Sequence, residues 1–187
     1  MSDYQALTAA VLAELDRTLK AIDVAQVAAL NAAILNAPRI FVAGKGRTGL
    51  RMSAFAMRLM HLGRHVHVVG EVTTPGIKAG ELLVIGSGSG RTDSLVQWAE
   101  KAKSVGATVA LITIMPVSRV GQHADVIVRI PAVSPKINNG QAATSIQPMG
   151  NLFEQALGIL LDIMVMQLMD TLDMDSDTMF TRHANME

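Results

Sequence analysis

Two glycine-rich stretches and one glutamate carry the residue types that could do chemistry in this chain. The first stretch, "GKGRTG" at residues 44–49, has the spacing G-x-G-x-x-G and follows the apolar run "RIFVA". Glycines so placed let a backbone turn tightly beneath a phosphate, and the N–H groups of the following helix face the anion. The second stretch, "GSGSGRTDS" at 86–94, also follows an apolar run and opens a helix. It sets the hydroxyls of Ser87, Ser89 and Thr92 among Gly86, Gly88 and Gly90. Hydroxyls donate to phosphate oxygens without adding charge, whereas capping a helix needs only one such residue. Glu154, in "GNLFEQALGILL", stands near the start of a long apolar helix. It is a candidate general base: Leu152 and Phe153 disfavour its charged form, while the helix start favours it. The plain alternative is an acid that only stabilises the first helical turn.

Taken alone, the first loop fits a dinucleotide. Glu71, 71 − 49 = 22 residues past Gly49, stands where an acid would hold a ribose. The hydroxyl-rich second loop moves the reading to a compact phosphomonoester, for which a nest of small residues at a helix start is suited. Arg47 and Lys45 could hold the phosphate, and Arg47 could also stabilise an enediolate oxygen; as loop side chains they could equally be solvated. Arg91 either adds charge at the phosphate or points to solvent. His61, in "MRLMHLG", either assists proton transfer or partners the negative end of its helix. Thr73 and Thr74, after the second strand, are candidates for contact with sugar hydroxyls. No His/Asp cluster has metal-ligand spacing, and the absence of cysteine excludes thiolate chemistry and disulfides.

The elements that must position these residues are legible as texture. "RIFVAG", "HVHVVG", "ELLVIG", "TVALITI" and "DVIVRIP" are short β-branched runs separated by helix-like segments. Such alternation implies parallel strands joined by right-handed crossovers, and the lack of polar alternation implies a sheet covered on both faces. The expectation is an α/β fold, a three-layer α/β/α sandwich with a five-stranded parallel sheet. Residues 5–35 read as two helices, a long Pro/Asn/Gly/Ser loop follows the last strand, and a helix runs from about 150 to 172. No linker divides the chain. It reads as one domain with a helical N-terminus at 1–37, an α/β core at 38–131, and a loop, C-terminal helix and tail at 132–187.

Composition excludes several classes of partner. The formal net charge is zero, so no basic excess is available for a nucleic-acid backbone. The N-terminus mixes acids and bases at helical spacing, unlike a signal or transit peptide. The apolar stretch Leu157 to Met169, interrupted by Asp162 and Gln167, reads as too short and too polar for a bilayer and therefore as a core helix. A cytoplasmic location is expected.

The pairing of "GKGRTGL" with "GSGSGRT" resembles the sugar isomerase (SIS) domain family of phosphosugar binders. "FAMRLMHLG", "GEVTTP", "IQPMGNLFEQ" and "HANME" extend the resemblance to one isomerase branch of it, essentially end to end. The resemblance implies a five-stranded SIS sandwich and a homo-oligomer, with a tetramer favoured. It also implies interconversion of 3-hexulose 6-phosphate and fructose 6-phosphate through an enediol, with no cofactor. That reaction is the second step of formaldehyde fixation by the ribulose monophosphate pathway. By position, Thr48 matches the family's first phosphate-loop Ser/Thr. Ser87, Gly88, Ser89, Gly90, Arg91 and Thr92 match its second loop, and Glu154 matches its proton acceptor. Arg47 stands where some members have lysine, and Arg91 where many have an acid. The tail with His183 is implied to pack at a subunit interface near an active site. Three alternatives stay open: a phosphosugar sensor without catalysis, a pentose-phosphate isomerase of the same fold, and a nicotinamide-dependent oxidoreductase.

Overall fold

The computed structural model describes residues 3–134, 137 and 145–186. The stretches of the expected long loop at 135–136 and 138–144 lie outside the described residues. The chain opens with helices α1 (Tyr4–Lys20) and α2 (Val24–Asn36). Each starts on an aspartate whose carboxylate accepts a first-turn N–H, Asp3 from Gln5 at 3.1 Å and Asp23 from Ala25 at 2.9 Å. There follow β1 (Ile40–Ala43), α3 (Gly46–His61), β2 (Val66–Val68), β3 (Leu82–Gly86), α4 (Asp93–Ser104) and β4 (Thr108–Thr113). A turn of 3-10 helix at Gly121–His123 leads to β5 (Val126–Arg129), and the chain ends with α5 (Asn151–Thr171) and a short α6 (Ser176–Phe180). The stretch around α6, read from sequence as a tail, folds back: Arg182 donates to the His61 carbonyl at 3.1 Å.

All five predicted strands form, in one parallel sheet of order β2-β1-β3-β4-β5. In register, Val42 faces Val84, Val84 faces Ala110 and Ile112 faces Val128. Because successive strand residues point to opposite faces, the sheet feeds two cores. Ile40, Val42, Val84 and Ile112 pack beneath α1, α2, α3 and α5. Phe41, Ala43, Ile85 and Leu111 pack against Leu95, Val96 and Ala99 of α4. The sandwich therefore has three layers, as expected, but unequal ones.

Helix α5 runs for 21 residues, beyond the stretch that the sequence marks as too short for a bilayer. By length and composition it could cross a membrane, yet half of it is buried in the domain. Leu157, Leu161, Met164 and Leu168 are nearly inaccessible, and the helix packs on α1, α2 and α3. Burying each such side chain is worth about 1.5–3 kcal/mol. Packing, rather than shortness, makes α5 a core helix.

The strand order has one further consequence. From β1 the chain crosses to β2 on one side of the sheet, and then to β3 on the other. The loops leaving β1 and β3 consequently diverge and open a crevice at the carboxyl ends of the strands. Those two loops are the two glycine-rich stretches.

Candidate active site

The crevice is a cavity of about 500 Å³, within the range of small-molecule sites. Three segments border it: Lys45 to Thr48, Gly86 to Ser89 with Thr92, and Met149 to Asn151 with Phe153 and Glu154. Each leads into a helix, α3, α4 and α5 respectively.

Glycine at particular positions lets those segments converge. A side-chain carbon on Gly44 would lie 2.9 Å from the Gly49 Cα, and one on Gly49 would lie 2.9 Å from the Gly44 carbonyl. These two glycines therefore press α3 against the end of β1, and Gly46 supplies the left-handed turn with φ of 58°. Gly86 does the same between sheet and helix: its added carbon would meet the Met52 sulfur at 2.7 Å and the Thr48 methyl at 3.1 Å. The G-x-G-x-x-G pattern is thus accounted for by packing and one turn. Glu71, the acid that a dinucleotide would need, is exposed in the turn after β2 and does not border the cavity.

The electrostatics follow from the helix starts. The residues at the N-caps of α3, α4 and α5 are Lys45, Thr92 and Gly150, and none makes a side-chain capping bond. The first N–H groups of a helix have no intrahelical partner and carry the positive end of its dipole. Three such ends meet at one cavity, joined by the side chains of Lys45 and Arg47. Lys45 sits 4.5 Å above the Trp98 ring, a cation–π contact.

Among the described residues around the cavity, Glu154 is the one carboxylate. Its side chain is 16% exposed, and it accepts a hydrogen bond from Arg47 Nε at 2.6 Å. Ser87 and Ser89 shape their own loop, accepting from the N–H groups of Gly90 at 3.1 Å and Arg91 at 3.3 Å. Each hydroxyl keeps its proton for donation to a ligand.

Of the residues singled out from sequence, Arg47, Thr48, Ser87, Gly88, Ser89, Thr92 and Glu154 border one cavity. Three do not. Gly90 is buried below the loop with φ of 60°, and an added carbon there would collide with Ser118. Arg91 is exposed and outside the lining, so solvent is what its neighbourhood offers. His61 is at the far end of α3 from Thr48, about 20 Å away at the helical rise per residue. It is buried, with Nδ1 3.1 Å from Arg58 Nη1 and its ring stacked on His183 at 5.5 Å. Within one chain it does not reach the cavity, because the helix that begins there ends elsewhere. Thr73 and Thr74 also lie outside, the Thr74 hydroxyl donating to the Val68 carbonyl at 2.6 Å. Conversely, Ile114 borders the cavity without a motif to mark it, while Met149, Gly150 and Asn151 do so from within the stretch "IQPMGNLFEQ" that carries the resemblance.

Comparison with known proteins identifies the family. Residues 33–157 match the model of the SIS domain family. The chain is 51% identical over 154 residues to the 3-hexulose-6-phosphate isomerase of Bacillus subtilis (strain 168), covering 82% of this chain and 83% of that one. It is 44% identical over 174 residues to the 3-hexulose-6-phosphate isomerase of Mycobacterium gastri, covering 93% and 86%. A crystal structure from Methanococcus jannaschii, of a protein with an inferred molecular function of 3-hexulose-6-phosphate isomerase, superposes with a TM-score of 0.83. It is 31% identical, with 96% of this chain and 98% of that one covered.

Proposed function

The chain belongs to the SIS domain family, in its 3-hexulose-6-phosphate isomerase branch, and from that premise we propose that it interconverts 3-hexulose 6-phosphate and fructose 6-phosphate. The observation that carries the site assignment is the meeting of three uncapped helix starts at one cavity with, among the described residues, a single carboxylate. The helix starts, with Thr48, Ser87, Ser89 and Thr92, suit the dianionic phosphate. Gly88 lets the backbone approach, since Phe153 stands 3.3 Å from where its side chain would be.

The reaction moves a carbonyl from C3 to C2. Glu154 takes the proton from C2 of the 3-hexulose, the electrons pass to the C3 oxygen, and a 2,3-enediolate forms. Return of that proton from Glu154 to C3, with the O2 proton passing to O3, yields the C2 ketone and C3 hydroxyl of fructose 6-phosphate. Arg47 holds Glu154 by one N–H and has further donors for the enediolate oxygen, where negative charge develops. The carboxylate inside the cavity favours an enzyme over a sensor, which would need the phosphate donors alone.

The active form is read as a homo-oligomer, with a tetramer favoured by the family resemblance, and its location as cytoplasmic. Ile159, Ile163 and Met166 of α5 and Leu50 and Met57 of α3 are exposed on helices that pack side by side. An apolar surface of that kind suits a neighbouring subunit. All 187 residues are taken as one functional domain. The test is turnover of 3-hexulose 6-phosphate, read by a fructose 6-phosphate-consuming coupling enzyme. Binding of the sugar phosphate without turnover would leave a sensor, and failure to bind any phosphosugar would remove the site assignment.

A further inference from the structure

The N-terminal helix holds a buried carboxylate that neither the phosphate site nor the proton transfer uses. Glu14 of α1 is 7% exposed, on the face of α1 that packs toward α5. It accepts three hydrogen bonds, all from the segment that enters α5: Ser145 Oγ at 2.7 Å, the Ile146 N–H at 2.9 Å and Gln147 Nε2 at 3.0 Å. Gln147 is itself 8% exposed, and its Oε1 accepts from Gln155 Nε2 at 2.7 Å. Gln155 is the residue next to Glu154.

Burying a carboxylate is costly unless its lone pairs are satisfied, and an apolar residue would serve packing better. Here the hydrogen bonds tie the segment before α5 to α1. Two residues beyond Gln147, Met149 adopts a left-handed backbone with φ of 58°, a conformation that costs a non-glycine residue about 1 kcal/mol or more. Gly150 and Asn151 then present the start of α5 to the cavity, and Glu154 N–H closes the first turn on the Gly150 carbonyl at 3.0 Å. Burial raises the Glu14 pKa, but the bonds from Ser145, Ile146 and Gln147 and the charge of Arg17 outweigh it and hold the group below its ordinary value.

We infer that Glu14 is a positioning residue for the reaction. It fixes the 145–150 segment, and through Gln147 and Gln155 the first turn of α5, so that Glu154 stands over the substrate carbon. This inference rests on the reading of Glu154 as the base. It assigns the N-terminal helices, outwardly the least distinctive part of the chain, a part in catalysis.

The experiment is steady-state isomerisation by Glu14→Gln, Gln147→Ala and Glu154→Gln enzymes, beside the Kd for inorganic phosphate. Glutamine keeps the length of the side chain but turns an acceptor into a donor facing other donors. The expected result is a fall in kcat of about tenfold to a hundredfold in Glu14→Gln, the scale of a small misplacement of a reacting group. KM and the phosphate Kd change much less than kcat, because the starts of α3 and α4 and the hydroxyls of Thr48, Ser87, Ser89 and Thr92 are untouched. A merely structural role would move KM and the phosphate Kd as far as kcat, and that pattern overturns the inference. Wild-type kcat in Glu14→Gln beside an inactive Glu154→Gln enzyme also overturns it, and leaves the base assignment standing. Full activity in Glu154→Gln overturns both. Gln147→Ala cuts the same chain without disturbing a buried charge; where Glu14→Gln does not fold, wild-type kcat in Gln147→Ala overturns the inference and a selective loss of kcat supports it.

Discussion

The helices of this protein start in two ways. Those of α1, α2 and α6 begin on Asp3, Asp23 and Asp175, and each carboxylate accepts a backbone N–H of the first turn. Those of α3, α4 and α5 begin on Lys45, Thr92 and Gly150, with no side-chain cap. A cap is worth about 1 kcal/mol, so three uncapped starts leave about 3 kcal/mol of available stability unused. The two sets differ in place. The capped starts lie away from the cavity and the uncapped ones border it. Free N–H groups at a helix start bind an anion, and a built-in aspartate would occupy them. Stability is given up where the ligand must be met.

The largest effect expected is on Glu154, the acid kept in the first turn of an uncapped helix. Glu154→Gln should lower kcat by about a hundredfold or more, the scale of general-base catalysis, with phosphate affinity retained. Loss of affinity in place of turnover would make it part of the phosphate site. Next is Thr92→Asp, which should shift stability and function in opposite directions. The new carboxylate caps α4 and raises stability by about 1 kcal/mol. Like charge against the phosphate, worth about 4 kcal/mol at close range near a surface, should remove most phosphate affinity. Thermal melts with and without phosphate read both, and unchanged affinity would break the comparison.

Asp23→Ala tests the other set. It should cost about 1 kcal/mol of stability and leave KM and kcat unchanged. His61→Gln should leave the phosphate Kd unchanged, because His61 sits at the far end of α3. A change in kcat at constant Kd would bring the end of α3 from a neighbouring subunit to the cavity. The smallest effect is on acid stability. The Glu14 pKa is lowered in the folded protein, so its contribution is present above the unfolded value near 4.5 and is lost as the pH falls through the folded one. Melts between about pH 6 and pH 3 should therefore fall more steeply for the wild type than for Glu14→Gln; parallel curves would remove the assigned linkage.

How much was legible beforehand depends on whether the signal is local. The five strands and the sandwich follow from β-branched runs alternating with helical segments, because a sheet buried on both faces needs that texture along the chain. The glycine and hydroxyl loops follow from requirements of the turn itself. Gly46 and Gly90 answer to positive φ, and the hydroxyls answer to phosphate oxygens that need donors. His61 shows the limit. Its residue type suits proton transfer, and its helix starts at the site, but sequence does not say which end of a helix a side chain occupies relative to a cavity. Gly44 and Gly49 show another limit, since a dinucleotide fingerprint and a close packing contact use the same residue for the same reason, the missing Cβ.

Sequence by itself pointed to the class of fold and to the two glycine-rich loops, because these rest on periodicity and on the chemistry of neighbouring residues; Glu154 as the base came from the family resemblance. The tertiary structure decided what depends on residues far apart in the chain. It brought the start of α5 to the loops of α3 and α4, and paired Arg47 with Glu154 across 107 positions. It also tied Glu14 to Gln147 across 133 positions. No local pattern encodes such pairs, because each is set by how the sheet orders its strands and how α1, α3 and α5 pack upon it.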